Sequence, residues 1–447
     1  MTALTALEIY KKLPQTNCGK CGFPTCLAFA MQLANKKASI DACPDCSDEA
    51  RELLESSAAP PIRLVKVGTG ENEIELGDEV VLFRHEKTFY HPVAFALMVD
   101  DDSPEAETEF KIKAAEELKF ERVGQEMKLD MIAVRSKSDD PSKFSSAVSF
   151  VKDKTSLPLM LISQNPAVME EGLKVCSSDR PLIHAATKEN FEKMAELAKS
   201  QSCPLAVLED SRLEELAELS KKVKEAGIED IVLDIGRKPL GRMLGELTMI
   251  RRLAIKKLFR PLGYPVIMFA EGDGMSAGLE AALGTMKYAS IVVMKEADRS
   301  IMYPLFTLRQ NIYTDPQKPI QVKPGIYELN GPDESSPVMI TTNFSLTYFT
   351  VAGDIETSKV PSYLLVADSE GLSVMTAFAA DKFTADTATD LIKSCGIEDR
   401  VNHKKIIIPG QVARMSGKLS ENSGWEVLVG PRDSSGLPKY LREYTGS

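Results

Sequence analysis

Cys18-Gly-Lys-Cys21 followed by Gly-Phe-Pro-Thr-Cys26 forms a CxxCxxxxC run, with Cys43-Pro44 and Cys46 close behind. Five of the eight cysteines fall between residues 18 and 46, and that concentration needs a local cause. Iron–sulfur clusters are held by four thiolates, commonly with one beside proline, and Cys18, Cys21, Cys26 and Cys43 supply such a set. Gly19 and Gly22 let backbone amides approach the sulfurs. A helix expected over Leu27 to Asn35 opens at Cys26 and turns its positive end toward a thiolate there. The competing chemistry is structural zinc, which pairs Cys18 and Cys21 with Cys43 and Cys46 and leaves Cys26 unused. A secreted disulfide framework fits poorly, because MTALTALEIYKKL lacks the basic-then-apolar pattern of an export leader; the expected location is the cytoplasm. Cys176, Cys203 and Cys395 read as small core residues.

At about 150 residues per domain, 447 residues predict about three domains. The balance of 54 Lys and Arg against 65 Asp and Glu, a net charge of −11, argues against a nucleic-acid surface. No apolar run approaches the ~20 residues of a membrane span. The expected division is a cysteine module over 1–60, a barrel over 61–325 and a third domain over 326–447. Ser56-Ser57-Ala58-Ala59-Pro60-Pro61 marks the first boundary, since proline cannot continue a helix. Between 62 and 92, short alternating segments such as Glu79 to Phe83 suggest a small β element.

Eight short apolar runs then alternate with charged segments of helical length: Val93–Val99, Leu129–Val134, Leu157–Ile162, Pro181–Ala185, Pro204–Leu208, Ile231–Ile235, Val266–Ala270 and Ile291–Met294. Continuous apolar strands alternating with helices signal parallel strands and match a (β/α)8 barrel, with an open doubly wound sheet as the alternative. The clearest helix is Ser211 to Ala226, with a Ser211/Glu214 capping box and Gly227 past its end. At the C-terminal strand ends, where barrel active sites sit, stand Asp100, Asp101, Arg135, Asn165, Glu209, Asp234, Glu271 and Lys295. They form either a polar pocket or a set of helix caps.

Residues 311–337, rich in proline, read as an extended connection that lets the third domain move. That domain reads as a doubly wound α/β fold, with strands at Val338–Thr341, Tyr363–Ala367, Lys405–Ile408 and Glu426–Val429. Helices are expected near 345–356, 384–395, 411–420 and 434–443. Loops at Thr342-Asn343, Asp368–Gly371, Pro409-Gly410 and Gly430–Gly436 converge at the strand ends, where open sheets bind large cofactors. Neither GxGxxG nor a Walker A pattern is present there.

Four segments carry a resemblance: LPQTNCGKCGFPTCLAFA at 13–30, LFRHEKTFYHP at 82–92, TTNFSLTYFTVAGDIE at 341–356 and IIPGQVARMSGKLSENSGWEVLVGPRDSSGLP at 407–438. Over essentially its full length the chain resembles the large subunit of corrinoid iron–sulfur proteins, the gamma subunit of acetyl-CoA decarbonylase/synthase systems. The resemblance implies a 4Fe-4S module, a TIM barrel and a cobamide-binding domain, in that order. It places the cluster ligands on Cys18, Cys21, Cys26 and Cys43, with Cys46 surplus. It sets the corrinoid against Thr341, Thr342 and Thr347, against Gly371, Leu372, Ser373, Val374, Thr376 and Ala377, and against Gly430, Asp433 and Ser434.

The resemblance also implies a methyl carrier, rather than an independent catalyst, working with a separate methyltransferase. Cobalt(I) takes a methyl group from a methyl-tetrahydropterin and passes it to the nickel centre of acetyl-CoA synthase, while the cluster re-reduces stray cobalt(II). Expected partners are a small subunit in a heterodimer, the methyltransferase, acetyl-CoA synthase/CO dehydrogenase and an electron donor such as ferredoxin. The Asp-x-His-x-x-Gly sequence that places histidine under cobalt is absent; the third domain has only His403, so the corrinoid is expected base-off, with Thr376 facing the open axial side. The alternatives are an iron–sulfur/flavin electron-transfer protein and a methyltransferase with its own pterin site in the barrel.

Overall fold

The computed structural model describes residues 6–34, 38, 40–47, 60–122, 125–315 and 317–445. The chain divides into two compact units, one of Met1–Lys119 with Lys128–Tyr313 and one of Phe120–Met127 with Thr314–Ser447. Most of the expected boundary at 56–61 lies outside the described residues.

The first unit opens with helices α1 (Ala6–Tyr10) and α2 (Cys26–Ala34) and a 3-10 turn at Ile40–Ala42. An antiparallel hairpin follows, β1 (Val65–Val67) on β2 (Ile74–Leu76). The small β element expected between 62 and 92 is this hairpin, which lies ahead of Glu79–Phe83. Glu79–Phe83 carries no strand because its polar groups are taken from outside: Arg251 donates to Val81 O, and Tyr288 Oη donates to Leu82 O.

Eight parallel strands close a barrel: β3 (Ala94–Asp100), β6 (Met131–Arg135), β7 (Leu159–Ile162), β8 (Leu182–Ala186), β9 (Leu205–Leu208), β10 (Ile231–Asp234), β11 (Val266–Ala270) and β12 (Ile291–Met294), which returns to β3. All eight expected runs are strands. Each is buried nearly end to end, as covering on both faces requires. The crossover helices are α3 (Glu105–Glu117), α4 (Pro141–Lys154), α5 (Pro166–Cys176), α6 (Phe191–Gln201), α7 (Leu213–Glu225), α8 (Leu240–Lys257), α9 (Met275–Met286) and α10 (Arg299–Tyr313). Two of them start with proline behind a side-chain cap, Asp140 on α4 and Asn165 on α5. The Ser211/Glu214 capping box does not form on α7, because Glu209 captures both the amide and the hydroxyl of Ser211.

The β1–β2 hairpin plugs one end of this barrel. Val65, Val67 and Leu76 join the interior cluster of Ala94, Met131 and Ile267, while Gly68 N–H donates to Arg180 O and Arg63 N–H to Gly263 O, just ahead of β8 and β11. A Cβ at Gly77, whose φ is +88°, would lie 2.0 Å from Arg63 O, so the turn accepts only glycine. The N-terminal end is filled and the C-terminal end carries the polar residues.

In the second unit the sheet runs β13 (Gly325–Leu329), β15 (Ser362–Ala367), β14 (Val338–Thr342), β16 (Lys405–Ile408), β17 (Glu426–Val429), parallel except for the antiparallel edge strand β13. Part of the 311–337 connection is thus a strand. Its prolines flank β13 rather than interrupt it, as an edge position tolerates. Side chains alternate between two cores: Val338 and Ile340 face α13 (Ala385–Ser394) and α14 (Ser416–Ser423), with the short α12 (Val374–Ala379), while Met339 faces α11 (Ser345–Ser358) and α15 (Leu437–Thr445). The sheet is doubly wound. The antiparallel hairpin of β4 (Phe120–Arg122) and β5 (Gln125–Met127) belongs to this unit although it is encoded inside the barrel. Burial pushes the Tyr348 phenol up to about 12, and neighbouring Tyr327 and Glu121 add to the shift.

Candidate functional site

The cysteine module is a packed miniature core. Cys26, Cys43 and Cys46 are buried with Ile9, Leu13 and Phe29, Cys21 packs against them, and Cys18 is exposed. Asn17 Oδ1 accepts the Cys26 amide at 2.8 Å, and Thr25 Oγ1 accepts the Ala28 amide at 3.1 Å, which fixes the start of α2 beside the thiol. Lys20 Nζ pairs with Asp45 at 3.0 Å and so ties the first cysteine loop to the Cys43–Cys46 segment. That hydrogen bond raises the Lys20 ammonium and lowers the Asp45 carboxyl, with the Cys18 thiol contributing to the latter. Among the described residues no three Cys, His, Asp or Glu side chains converge closely enough to hold a single metal ion.

At the barrel mouth the polar residues are engaged with one another. Arg135 forms a bidentate pair with Asp100, Nε–Oδ1 2.7 Å and Nη2–Oδ2 2.9 Å. Asp101 accepts from Ser136, Ser138 and two backbone amides. Asn165 caps α5, and Glu209 receives Ser211 and Lys188. Asp234 meets His184 Nε2 at 2.7 Å and accepts the Gly236 amide. Glu271 lies between Arg237 and Lys295. Away from the mouth, burial pushes the Cys176 thiol up to about 12 and that of Cys203 to about 11, which keeps both inert.

The second unit holds a cavity of about 470 Å³ at the C-terminal ends of β14, β16 and β17. Its walls take Met339 and Thr341 from β14, Leu346, Thr347, Thr350 and Val351 from α11, Ser373 to Met375, and Gly430 to Ser434. Thr341 Oγ1 and Thr342 Oγ1 are buried without a hydrogen-bond partner, and Thr341 lines the cavity. Two of its loops touch backbone to backbone: a Cβ at Gly410 would lie 2.6 Å from Gly430 O. Asp433 caps the next turn through Ser435, whose hydroxyl and amide hold its carboxyl below the usual range.

The expected contact residues separate into two groups. Thr341, Thr347, Ser373, Val374, Gly430, Asp433 and Ser434 line the cavity. Thr342, Gly371, Leu372, Thr376 and Ala377 do not: Ala377 is core, Leu372 packs on that core, and Thr376 is exposed with its hydroxyl 3.0 Å from Ser373 Oγ. Gly371 is held by Asn343, which sequence reasoning placed in a strand-end loop without assigning it this role. Asn343 Oδ1 accepts the amides of Ser369 and Gly371, both at 3.0 Å, and the Ser369 hydroxyl sits 2.8 Å away, while Nδ2 donates to Gln321 and Asp368. His403 is spent on backbone, with Nε2 3.0 Å from Ser336 O and Nδ1 accepting the Lys405 amide.

A family model described as the CO dehydrogenase/acetyl-CoA synthase delta subunit matches residues 64–441, and an Fe-S cluster model matches residues 13–44, ending before Cys46. The corrinoid/iron-sulfur protein large subunit of Moorella thermoacetica is 48% identical over 98% of both chains. The chain belongs to that corrinoid/iron–sulfur family. The acetyl-CoA decarbonylase/synthase complex subunit gamma of Methanothermobacter thermautotrophicus is 40% identical, again over 98% of both chains.

Both cofactors that this family's name carries meet suitable residues. Five thiols on one small module, with Cys21, Cys26, Cys43 and Cys46 in its shared core and Cys18 exposed, suit the thiolate ligation of iron–sulfur chemistry. In the second unit, a cavity whose apolar walls are interrupted by Thr341, Thr347, Ser373, Arg432 and Ser434 suits a large ligand that carries polar groups, and the orphaned Thr341 hydroxyl is free to bond one of them. Helical spacing was the signal available for Leu346, Thr347, Thr350 and Val351, which share one face of α11.

Proposed function

We propose that this chain is the methyl carrier of the acetyl-CoA pathway, with a 4Fe-4S cluster on Cys18, Cys21, Cys26 and Cys43 and a base-off corrinoid on the second unit. The observation that carries this reading is the Thr341 hydroxyl, buried, unpartnered and facing a cavity at the strand ends. Leaving such a group unsatisfied costs about 1–3 kcal/mol, which a bound ligand recovers. When bound, the corrinoid supplies a cobalt centre that takes up and releases a methyl group, and the cluster supplies low-potential electrons that restore it after oxidation.

The chain's own residues receive and orient these groups. A corrinoid is too large to enter the cavity whole, so Thr341, Thr347, Gly430, Asp433 and Ser434 would hold its nucleotide arm, and Ser373 and Val374 would lie beside the ring. Thr376, exposed with its hydroxyl beside Ser373, would offer a polar group to the bound corrinoid. Thr342, Gly371, Leu372 and Ala377 support these loops from behind. Both nitrogens of His403 are occupied by backbone, which supports the base-off reading. Asp100 and Glu209 at the barrel mouth are held in ion pairs, which supports a scaffold role for the barrel over a pterin-binding one.

The partners follow from the same reading: a methyltransferase acting on methyl-tetrahydropterin, acetyl-CoA synthase, and a low-potential electron donor such as ferredoxin. The name "large subunit" of the Moorella relative implies a smaller companion as well. The test is metal analysis of the anaerobically purified protein with electron paramagnetic resonance of its cobalt(II) form. Roughly four iron per cobalt is expected, with no nitrogen splitting from a protein donor. Zinc without iron, a yellow flavin without cobalt, or splitting from a histidine would each sink the corresponding part.

A further inference from the structure

Of the five thiols in the cysteine module, Cys46 is the one outside the four-ligand set, yet it is no surface residue. Its side chain is 7% exposed, against 6% for Cys26 and 3% for Cys43, and it packs in the same small core as both. Pro44 and Asp45 form the turn between Cys43 and Cys46, with proline at a position that turns favour, so the two Cα atoms lie within about 7 Å of each other. Asp45 then links this turn to the first cysteine loop. It pairs with Lys20 at 3.0 Å, and the Cys18 thiol, as a hydrogen-bond donor, helps hold its carboxyl below the usual range. The neighbour of the buried Cys46 is thus also the partner of Cys18, the one exposed thiol of the five.

We infer that Cys46 is a reserve ligand of the cluster, which takes over the iron that Cys18 holds when Cys18 lets go. This rests on the reading above that the module binds a 4Fe-4S cluster through Cys18, Cys21, Cys26 and Cys43. In the exchange the Cys18 sulfur leaves its iron and takes up a proton, while the Cys46 thiol gives up a proton and forms the new iron–sulfur bond. No electron moves, and the charge of the ligand set is unchanged. Cys18 is the ligand replaced for two reasons. Its exposure makes it the thiolate that solutes reach first. Its loop also runs through Gly19 and Gly22, both at positive φ and with open space where a Cβ would stand, so the backbone there meets little resistance to rearrangement. The Lys20–Asp45 pair meanwhile keeps the Cys46 turn beside the same loop.

The experiment measures iron per chain, and the electron paramagnetic resonance of the reduced cluster, in the full chain loaded anaerobically with iron and sulfide. Cys46→Ala should keep its full iron, because the first ligand set is intact, and that result also shows that truncation at this buried position leaves the module folded. Cys18→Ala removes an exposed side chain; it should keep most of its iron, with an altered resonance because one thiolate has been exchanged for another. Cys18→Ala combined with Cys46→Ala should hold at least about tenfold less iron than Cys18→Ala, since only three thiolates remain. Equal iron in Cys18→Ala and the double variant overturns the inference: if both are empty Cys46 does not replace Cys18, and if both are full some other group does. Loss of iron from Cys46→Ala alone overturns it too, because Cys46 would then be an obligatory ligand. Zinc in place of iron in the unaltered chain is a different failure, which sinks the cluster reading and takes the inference with it.

Discussion

Asn343→Ala should loosen the loop that borders the cofactor cavity and destabilise the second unit. Asn343 is 1% exposed, and its amide oxygen is the acceptor for the Ser369 and Gly371 N–H groups at 3.0 Å. Truncation strands two buried donors at about 1–3 kcal/mol each, partly relieved by relaxation, so about 2–4 kcal/mol is expected. The chain's single tryptophan, Trp425, is buried in this unit's core, so its fluorescence reports the second unit without interference from the barrel. With a urea slope of about 2 kcal/mol/M, the midpoint should fall by roughly 1–2 M. Hydrogen exchange at Ser369 and Gly371 should accelerate together. Asn343→Asp keeps the acceptor but turns the Nδ2 donor toward Asp368 into a second carboxylate. Burial and that like charge raise the new group's folded pKa, so its penalty is largest at neutral pH and fades as pH falls toward 5. A midpoint shift below about 0.3 M for the alanine variant, under 1 kcal/mol at that slope, would refute the claim that Asn343 organises the loop.

Arg251→Met strands the buried Glu79 carboxylate, whose Oε2 the guanidinium meets at 2.9 Å, and should cost about 3–5 kcal/mol by thermal melting; pairing it with Glu79→Gln should recover much of that loss, and no recovery would contradict the account. At Asp101, burial works to raise the carboxyl, but hydrogen bonds from Ser138 and from the Lys137 and Ser138 amides hold it below its ordinary 3.8. Its stabilisation is therefore present above that value and lost as pH falls through the lower folded one. The gap in urea midpoint between wild type and Asp101→Asn should be full at pH 6 and narrow steadily as pH falls below 3.8; a constant gap would contradict this. Cys21→Ala should lose iron, keep corrinoid and accept a methyl group normally after chemical reduction, because methyl-cation transfer needs no outside electron, yet fail to recover from cobalt(II) with a protein donor. Failure of the prereduced variant would implicate the cluster in transfer itself.

The barrel was legible because eight runs buried on both faces leave an unbroken apolar trace, and so was the parallel sheet of the second unit. Elements stabilised from outside their own segment were not. Gly325–Leu329 is an edge strand with prolines on either side, and its pairing with Ser362–Val366 leaves no local mark. Glu79–Phe83 has strand-like residues, but Arg251 and Tyr288, far along the chain, claim its carbonyls. Ser211 looks like a cap until Glu209 is seen to hold it. At the site, the loops carrying Thr341, Ser373 and Gly430 could be found from strand ends. The role of Asn343 could not, because it consists of five contacts to Gln321, Asp368, Ser369 and Gly371, which only the fold assembles.

The Phe120–Met127 hairpin has a consequence for how this protein can be taken apart. The second unit is not a contiguous stretch of gene: eight of its residues are encoded within the first strand–helix repeat of the barrel. A fragment beginning at Thr314 would lack them, and with them Glu121, whose carboxylate acts on Tyr327 and Tyr348. During synthesis the hairpin leaves the ribosome long before the sheet it belongs to, so the second unit cannot be complete until nearly the whole chain has been made. The two units are therefore inherited together, and exchanging one between relatives requires cutting the chain in three places, two of them inside the barrel, instead of one.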